Sequence, residues 1–94
     1  MLFNLKAKPV DPLTAPFVFG YDDRCTHALP NGGTIIADLA EGRGGVWWWS
    51  AHHAWNGGHD QPGVVDMRQK SEAGRADTKA DALAACVAWM RGRL

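Results

Sequence analysis

Hydrophobic residues in this chain follow two rhythms, and the change from one to the other divides it. Thr34-Ile35-Ile36-Ala37-Asp38-Leu39 and Val46-Trp47-Trp48-Trp49-Ser50-Ala51 are short runs rich in β-branched and aromatic residues. Asn31-Gly32-Gly33 precedes the first, and Glu41-Gly42-Arg43-Gly44-Gly45 separates the two as a turn. A loop rich in Gly, Asn, Asp and Pro covers 56–63. Val64-Val65-Asp66-Met67-Arg68-Gln69 then reads as a third strand, closed by Ala73-Gly74. Beyond Thr78 the spacing becomes i, i+3, i+4, i+7. Ala80, Leu83, Ala84, Val87, Met90 and Leu94 share one face of a helical wheel, with Cys86 flanking it and Trp89 further round. Thr78 followed by Asp81 is a capping box with Asp in place of the usual Glu or Gln. Arg91 and Arg93 fall in the last turn, where cations suit the helix dipole. The pattern predicts a helix over 78–92 and a β-β-β-α unit over 33–94.

The first 30 residues carry a weaker signal. Pro9, Pro12 and Pro16 interrupt any long element. Phe17-Val18-Phe19 is expected as a short strand, Leu2 to Lys6 as an edge strand, and Cys25-Thr26-His27 as a polar turn after Asp22 and Asp23. The fold class that follows is α+β: one domain over 1–94, a small antiparallel sheet of three to five strands, and one C-terminal helix packed on one face.

Composition narrows the function classes. The 94 residues leave room for a single core, and a hydrophobic fraction of 46% with five tryptophans argues against disorder. No apolar run approaches the roughly 20 residues of a membrane span. The N-terminus lacks the features of a secretory signal, so a cytoplasmic location is expected, the host cytoplasm if the chain is phage-encoded. Ten basic and ten acidic residues cancel, which weighs against binding driven by phosphate neutralisation. Arg68, Lys70, Arg75 and Lys79 read as a solvated face. Cys25 and Cys86 could form one bridge, but in a cytosolic protein they read as free thiols, Cys86 in the core.

The three consecutive tryptophans carry the main functional expectation. Side chains alternate along a strand, so Trp47 and Trp49 share one face while Trp48 shares the other with Val46 and Ser50. One helix covers one face of a small sheet, which leaves at least one Trp in need of another cover. The N-terminal segment with Phe17, Phe19 or Tyr21, a second copy of the chain, or a heterologous partner would each serve. An apolar patch kept for a partner fits the prominence of Trp, Tyr and Arg at binding hot spots. The expected contact surface is Trp48 on the face away from the helix, rimmed by Trp55, His59 and Asp60 and by Tyr21, Asp23 and Arg24. A homodimer through the same sheet face is an alternative.

Other chemistry is less well supported. Cys25, His27, His52, His53 and His59 are zinc-ligand types, but their spacing lacks the paired knuckles of structural zinc sites. His52 and His53 are expected to straddle the strand end, one packed and one wet. Nothing flanks Cys25 as a nucleophile motif would, and no phosphate-cradling glycine loop is present. No catalytic residue, metal or cofactor is assigned. A nucleic-acid module using the Trp strand with Arg68, Lys70 and Arg75, or a zinc-stabilised domain, is the runner-up.

Gly74-x-Ala76-x-Thr78-x-x-x-Ala82-Leu83-x-x-Cys86-Val87-x-Trp89, set after a Trp-rich strand, resembles the ends of small phage and prophage accessory proteins, those of the anti-CRISPR kind among them. The resemblance covers about half the chain. It implies a compact α+β domain that inhibits a host defence complex by binding it, without catalytic residues. Three strands and an Ala-rich helix also resemble the end of a double-stranded-RNA-binding domain. That family needs an N-terminal helix and a lysine cluster at the last helix, where this chain has prolines and the single Lys79.

Overall fold

The computed structural model describes residues 11–30, 32–56 and 67–94. In chain order the elements are strands β1 (Arg24–Ala28), β2 (Thr34–Glu41), β3 (Trp47–Asn56) and β4 (Met67–Ala76), then helix α1 (Lys79–Arg91). The strands form one antiparallel sheet in the order β1-β2-β3-β4, and α1 packs on one side of it. The α+β class and the single C-terminal helix expected from the sequence are what the structure shows.

The β2–β3 hairpin is set by its turn. A short 3-10 segment, Arg43–Gly45, places Gly44 and Gly45 at φ of 74° and 80°, left-handed values that a Cβ disfavours. This turn brings Glu41 opposite Trp47, and the register runs from there to Thr34 opposite Ala54. β3 continues to Asn56, five residues beyond the expected end at Ala51.

β1 occupies the expected polar turn. Its inward side chains are Cys25, buried, and His27, half-buried, while Arg24, Thr26 and Ala28 point outward. A thiol and an imidazole as the inward members conceal the two-residue period. Phe17-Val18-Phe19, expected as a strand, has no strand pairing. Both phenylalanines are buried in the core, and Phe17 meets the His27 ring edge-on at 4.9 Å. The stretch from Thr14 to Phe19 thus joins the helix layer. Arg91 holds it there, its guanidinium donating to the carbonyls of Leu13 at 3.0 Å and Ala15 at 2.9 Å. The expected strand at Leu2 to Lys6 lies outside the described residues, as does 64–66 of the third strand.

β4 does not close at Ala73-Gly74 but runs through it to Ala76. Gly74 sits opposite Trp49, and a Cβ there would collide with Trp49 Nε1. The glycine is a seat for the indole, not a strand terminator.

α1 begins where expected, with Thr78 as N-cap accepting from the Asp81 amide at 3.1 Å. Its buried residues are Ala82, Cys86, Val87 and Met90, with Leu83 and Trp89 at the margin. The buried face is therefore turned from the expected one, and Ala80, Ala84 and Leu94 are exposed. The sheet accounts for the turn. Cys25, Ala37 and Ala51 form a row of small side chains across its middle, and the small residues Ala82 and Cys86 let the helix approach that row. The large residues Leu39 and Trp49 fill one end of the core, and Ile35 lies toward the other.

Candidate interaction face

The alternation predicted for the three tryptophans is present. Trp49 is buried under α1 and Trp47 packs against the same core, whereas Trp48 lies on the opposite face with 48% of its surface exposed. Register places a row across that face: Ala40, Trp48 and Arg75 on β2, β3 and β4. The next rows are Arg24, Asp38, Ser50 and Ala73, and then Thr26, Ile36, His52 and Ser71. Ile36 is 49% exposed. A shallow concavity of about 650 Å³ runs over the middle, lined by Ile36, Asp38, Ser50, His52, Ser71 and Ala73. Its floor is low because Ser50, Ser71 and Ala73 are small. Ser50 Oγ donates to Asp38 Oδ1 at 2.8 Å, which orients the carboxylate.

The Trp48 ring is held in place. A Cβ on Gly42 would come within 2.7 Å of Trp48 Nε1, so the indole lies directly on the Gly42 backbone. The Arg75 guanidinium stands 5.8 Å from the ring centroid, a cation–π distance. A large aromatic pre-positioned in this way loses little side-chain freedom on contact with a partner.

The expected rim residues separate. Arg24 shares the Trp48 face, opposite Asp38. Tyr21 is exposed in the turn before β1. Asp23, at a left-handed φ of 62°, pairs instead with Lys79 of the helix at 2.8 Å. Trp55 belongs to the helix side, beside His53 with ring centroids 4.6 Å apart. His59 and Asp60 lie outside the described residues. Of the basic run, Arg75 is on the Trp48 face and Arg68 and Lys70 are on the other. All four members, Lys79 included, are exposed, as a solvated run should be. Ile36 and Asp38 were not singled out in the sequence. Alternation placed Ser50 beside Trp48, and His52 was considered only as a zinc ligand; the cross-strand neighbours needed the register.

The described members of the Cys/His set are dispersed. Cys25, His27 and His53 are on the helix side and His52 is on the open side. Among the described residues, no three of His, Cys, Asp or Glu converge on a point that could hold a metal. Burial raises the Cys25 thiol pKa, opposed by a hydrogen bond with the Val18 backbone. The Cys86 thiol is pushed up to about 12 by burial, then by Cys25 and Asp38. Both stay protonated at neutral pH, which makes them poor nucleophiles.

His52 and His53 lie on opposite faces as expected, but within β3 and not at its end; His53 is buried and His52 is half-buried. His53 Nδ1 accepts from Arg93 Nε at 3.1 Å, so the proton of the neutral ring sits on Nε2, which finds no partner among the described residues. Arg93 also faces the rings of Trp55 and Trp89 at 5.5 and 5.6 Å. Burial lowers the His53 pKa, and the charges of Arg93 and His52 lower it further. Arg91 and Arg93 thus do more than complement the helix dipole: one holds the 11–15 turn and the other fills a slot between two indoles.

Comparison with protein-family models, curated proteins and solved structures returns no match for this chain.

Proposed function

We propose that this chain is a non-enzymatic protein-binding module whose contact surface is the open face of the sheet, centred on Trp48 and Ile36. The observation that carries the reading is the exposure of these two large apolar side chains on the face opposite the helix, 48% and 49%. They flank a concavity with a charged and polar lining, Asp38, Ser50 and His52. An apolar anchor beside oriented polar groups is the usual make-up of an interface centre. The resemblance to phage accessory proteins makes a bacterial defence complex the first partner to test.

The experiment is affinity capture from bacterial lysate with the wild-type chain and with Trp48→Ala, both confirmed as folded by circular dichroism. Loss of a specific captured complex in the variant supports the reading. An identical captured set for both proteins overturns it.

A nucleic-acid reading has one observation in its favour, the Arg75–Trp48 pair. Asp38 near the centre of the face and the placement of Arg68 and Lys70 on the other side oppose it. Binding of a single-stranded oligonucleotide with a steep salt dependence would reverse that preference.

A further inference from the structure

We propose that the contact between His53 and Arg93 is an acid-released latch: a proton and the Arg93 guanidinium compete for the same nitrogen, and protonation frees the end of α1. A neutral imidazole with its hydrogen on Nε2 has one in-plane lone pair, on Nδ1. Arg93 Nε already donates to that lone pair at 3.1 Å. The nitrogen that must take up the proton is therefore the one that Arg93 occupies. Once protonated, Nδ1 presents an N–H to an N–H and a positive charge to a positive charge, so the two states exclude each other. The guanidinium's remaining contacts among the described residues are with the rings of Trp55 and Trp89, at 5.5 and 5.6 Å. Released, it leaves both indole edges open to water at the margin of the core. Residues 92–94 are then held by the backbone bonds of the last turn, Arg93 to the Met90 carbonyl at 3.0 Å and Leu94 to the Arg91 carbonyl at 3.2 Å.

The charges around His53 decide where release falls. On the helix side of the sheet one row runs His27, Ile35, His53 and Lys70 across β1 to β4. Lys70 stands directly opposite His53, with Arg68 and Glu72 two residues to either side of it on the same face. From the helix layer, Arg93 is the cation on the ring, while Lys79 pairs with Asp23 and Arg91 with the carbonyls of Leu13 and Ala15. His52 is next along β3 but faces the other way. Cations outnumber the one acid in this neighbourhood. Burial, then the charges of Arg93 and His52, hold the His53 pKa down, so release falls below the ordinary imidazole value of about 6.5. Linkage makes the coupling reciprocal: whatever Arg93 does to the protonation of His53, protonation does to the seating of Arg93.

The test is an NMR pH titration of the whole chain. It reads the His53 ring nitrogens, the Arg93 Nε–H, and the nuclear Overhauser contacts from Arg93 to the rings of Trp55 and Trp89. The contacts are expected to disappear with the same midpoint as ring protonation, while the amide signals of β2 and β3 stay in their folded positions. Arg93→Met keeps the stem and removes both donors and charge. It should raise the His53 midpoint, by about one pH unit for each tenfold by which the closed latch is favoured at neutral pH. His53→Asn sets a carbonyl oxygen near the position of Nδ1 and does not titrate, so Arg93 should stay between the indoles throughout the same range. Arg93 contacts that survive His53 protonation, or a midpoint unmoved in Arg93→Met, overturn the proposal. So does release at the same pH in His53→Asn. A ring that stays neutral until the β2 and β3 amides are lost would make the event acid unfolding, not a latch, and overturns it as well.

Discussion

The two faces of the sheet are made from the same strands, often from adjacent residues, yet they differ in kind. Trp49 is 8% exposed beneath α1, and its neighbour Trp48 is 48% exposed on the other side. The helix face pairs small residues across its centre with large ones at its ends, so that a helix can seat closely. The open face has small and polar residues at its centre with a tryptophan and an isoleucine beside them. Its indole rests on Gly42 and Arg75, a local support that requires no second layer. One face is therefore answerable to folding, and the other leaves its tryptophan and isoleucine open to solvent.

Substitutions should expose that asymmetry. The largest effect is expected for Met90→Ala, which empties a fully buried site between α1 and the sheet. A loss of about 2–5 kcal/mol in chemical denaturation is expected, and a loss under about 1 kcal/mol would mean that the helix is not seated as described. Gly74→Ala comes next. Its Cβ would collide with Trp49 Nε1, and that ring is packed in the core, so about 1–3 kcal/mol should be lost. If stability is unchanged, the indole has somewhere else to go. Trp48→Ala should cost about 1 kcal/mol or less, because it forfeits an exposed ring and one cation–π contact. A cost as large as that of Met90→Ala would make Trp48 a core residue and remove the contrast between the faces.

A pH titration sharpens the same contrast from the helix side. The folded state holds the His53 pKa below the ordinary imidazole value of about 6.5. Above that value both states are neutral and the buried ring costs no proton. As pH falls below it, the unfolded chain takes up a proton that folded His53 resists, so stability declines. The denaturation midpoint should drop as pH falls below about 6.5, and His53→Gln should flatten the slope. Arg93→Gln should raise the His53 pKa measured by NMR, since it removes a facing charge. An unchanged slope in His53→Gln would place the titration elsewhere.

Much of this fold was legible in the sequence, and the misses share a cause. The helix, its Thr78 cap and the β2–β3 hairpin were readable because their signals are local: a capping side chain, a glycine turn, a period. The opposite placement of Trp48 and Trp49 followed from alternation alone. β1 was missed because its inward residues are Cys25 and His27, whose apolarity depends on what packs against them. Gly74 looked like a terminator because the ring that needs it, Trp49, lies on another strand. The helix face was misjudged for a similar reason, since the choice between Leu83 and Cys86 at its centre is made by the small residues Ala37 and Ala51. The candidate site suffered most. Trp48 was identifiable, but Ile36, Asp38 and Arg75 become its neighbours only through register, and Trp55 and Asp23 fall on the other side.

The Arg91 clamp has a mechanical consequence. A force applied between residue 11 and the end of α1 would load the guanidinium contacts to Leu13 and Ala15 directly. Once they part, the helix can be peeled from the sheet one turn at a time, each step breaking few contacts. A force applied along β3 and β4 in opposite directions would instead shear a ten-residue ladder all at once. The molecule should thus yield readily in one pulling direction and resist in the other, with Arg91 as the first element to give way in the weak one.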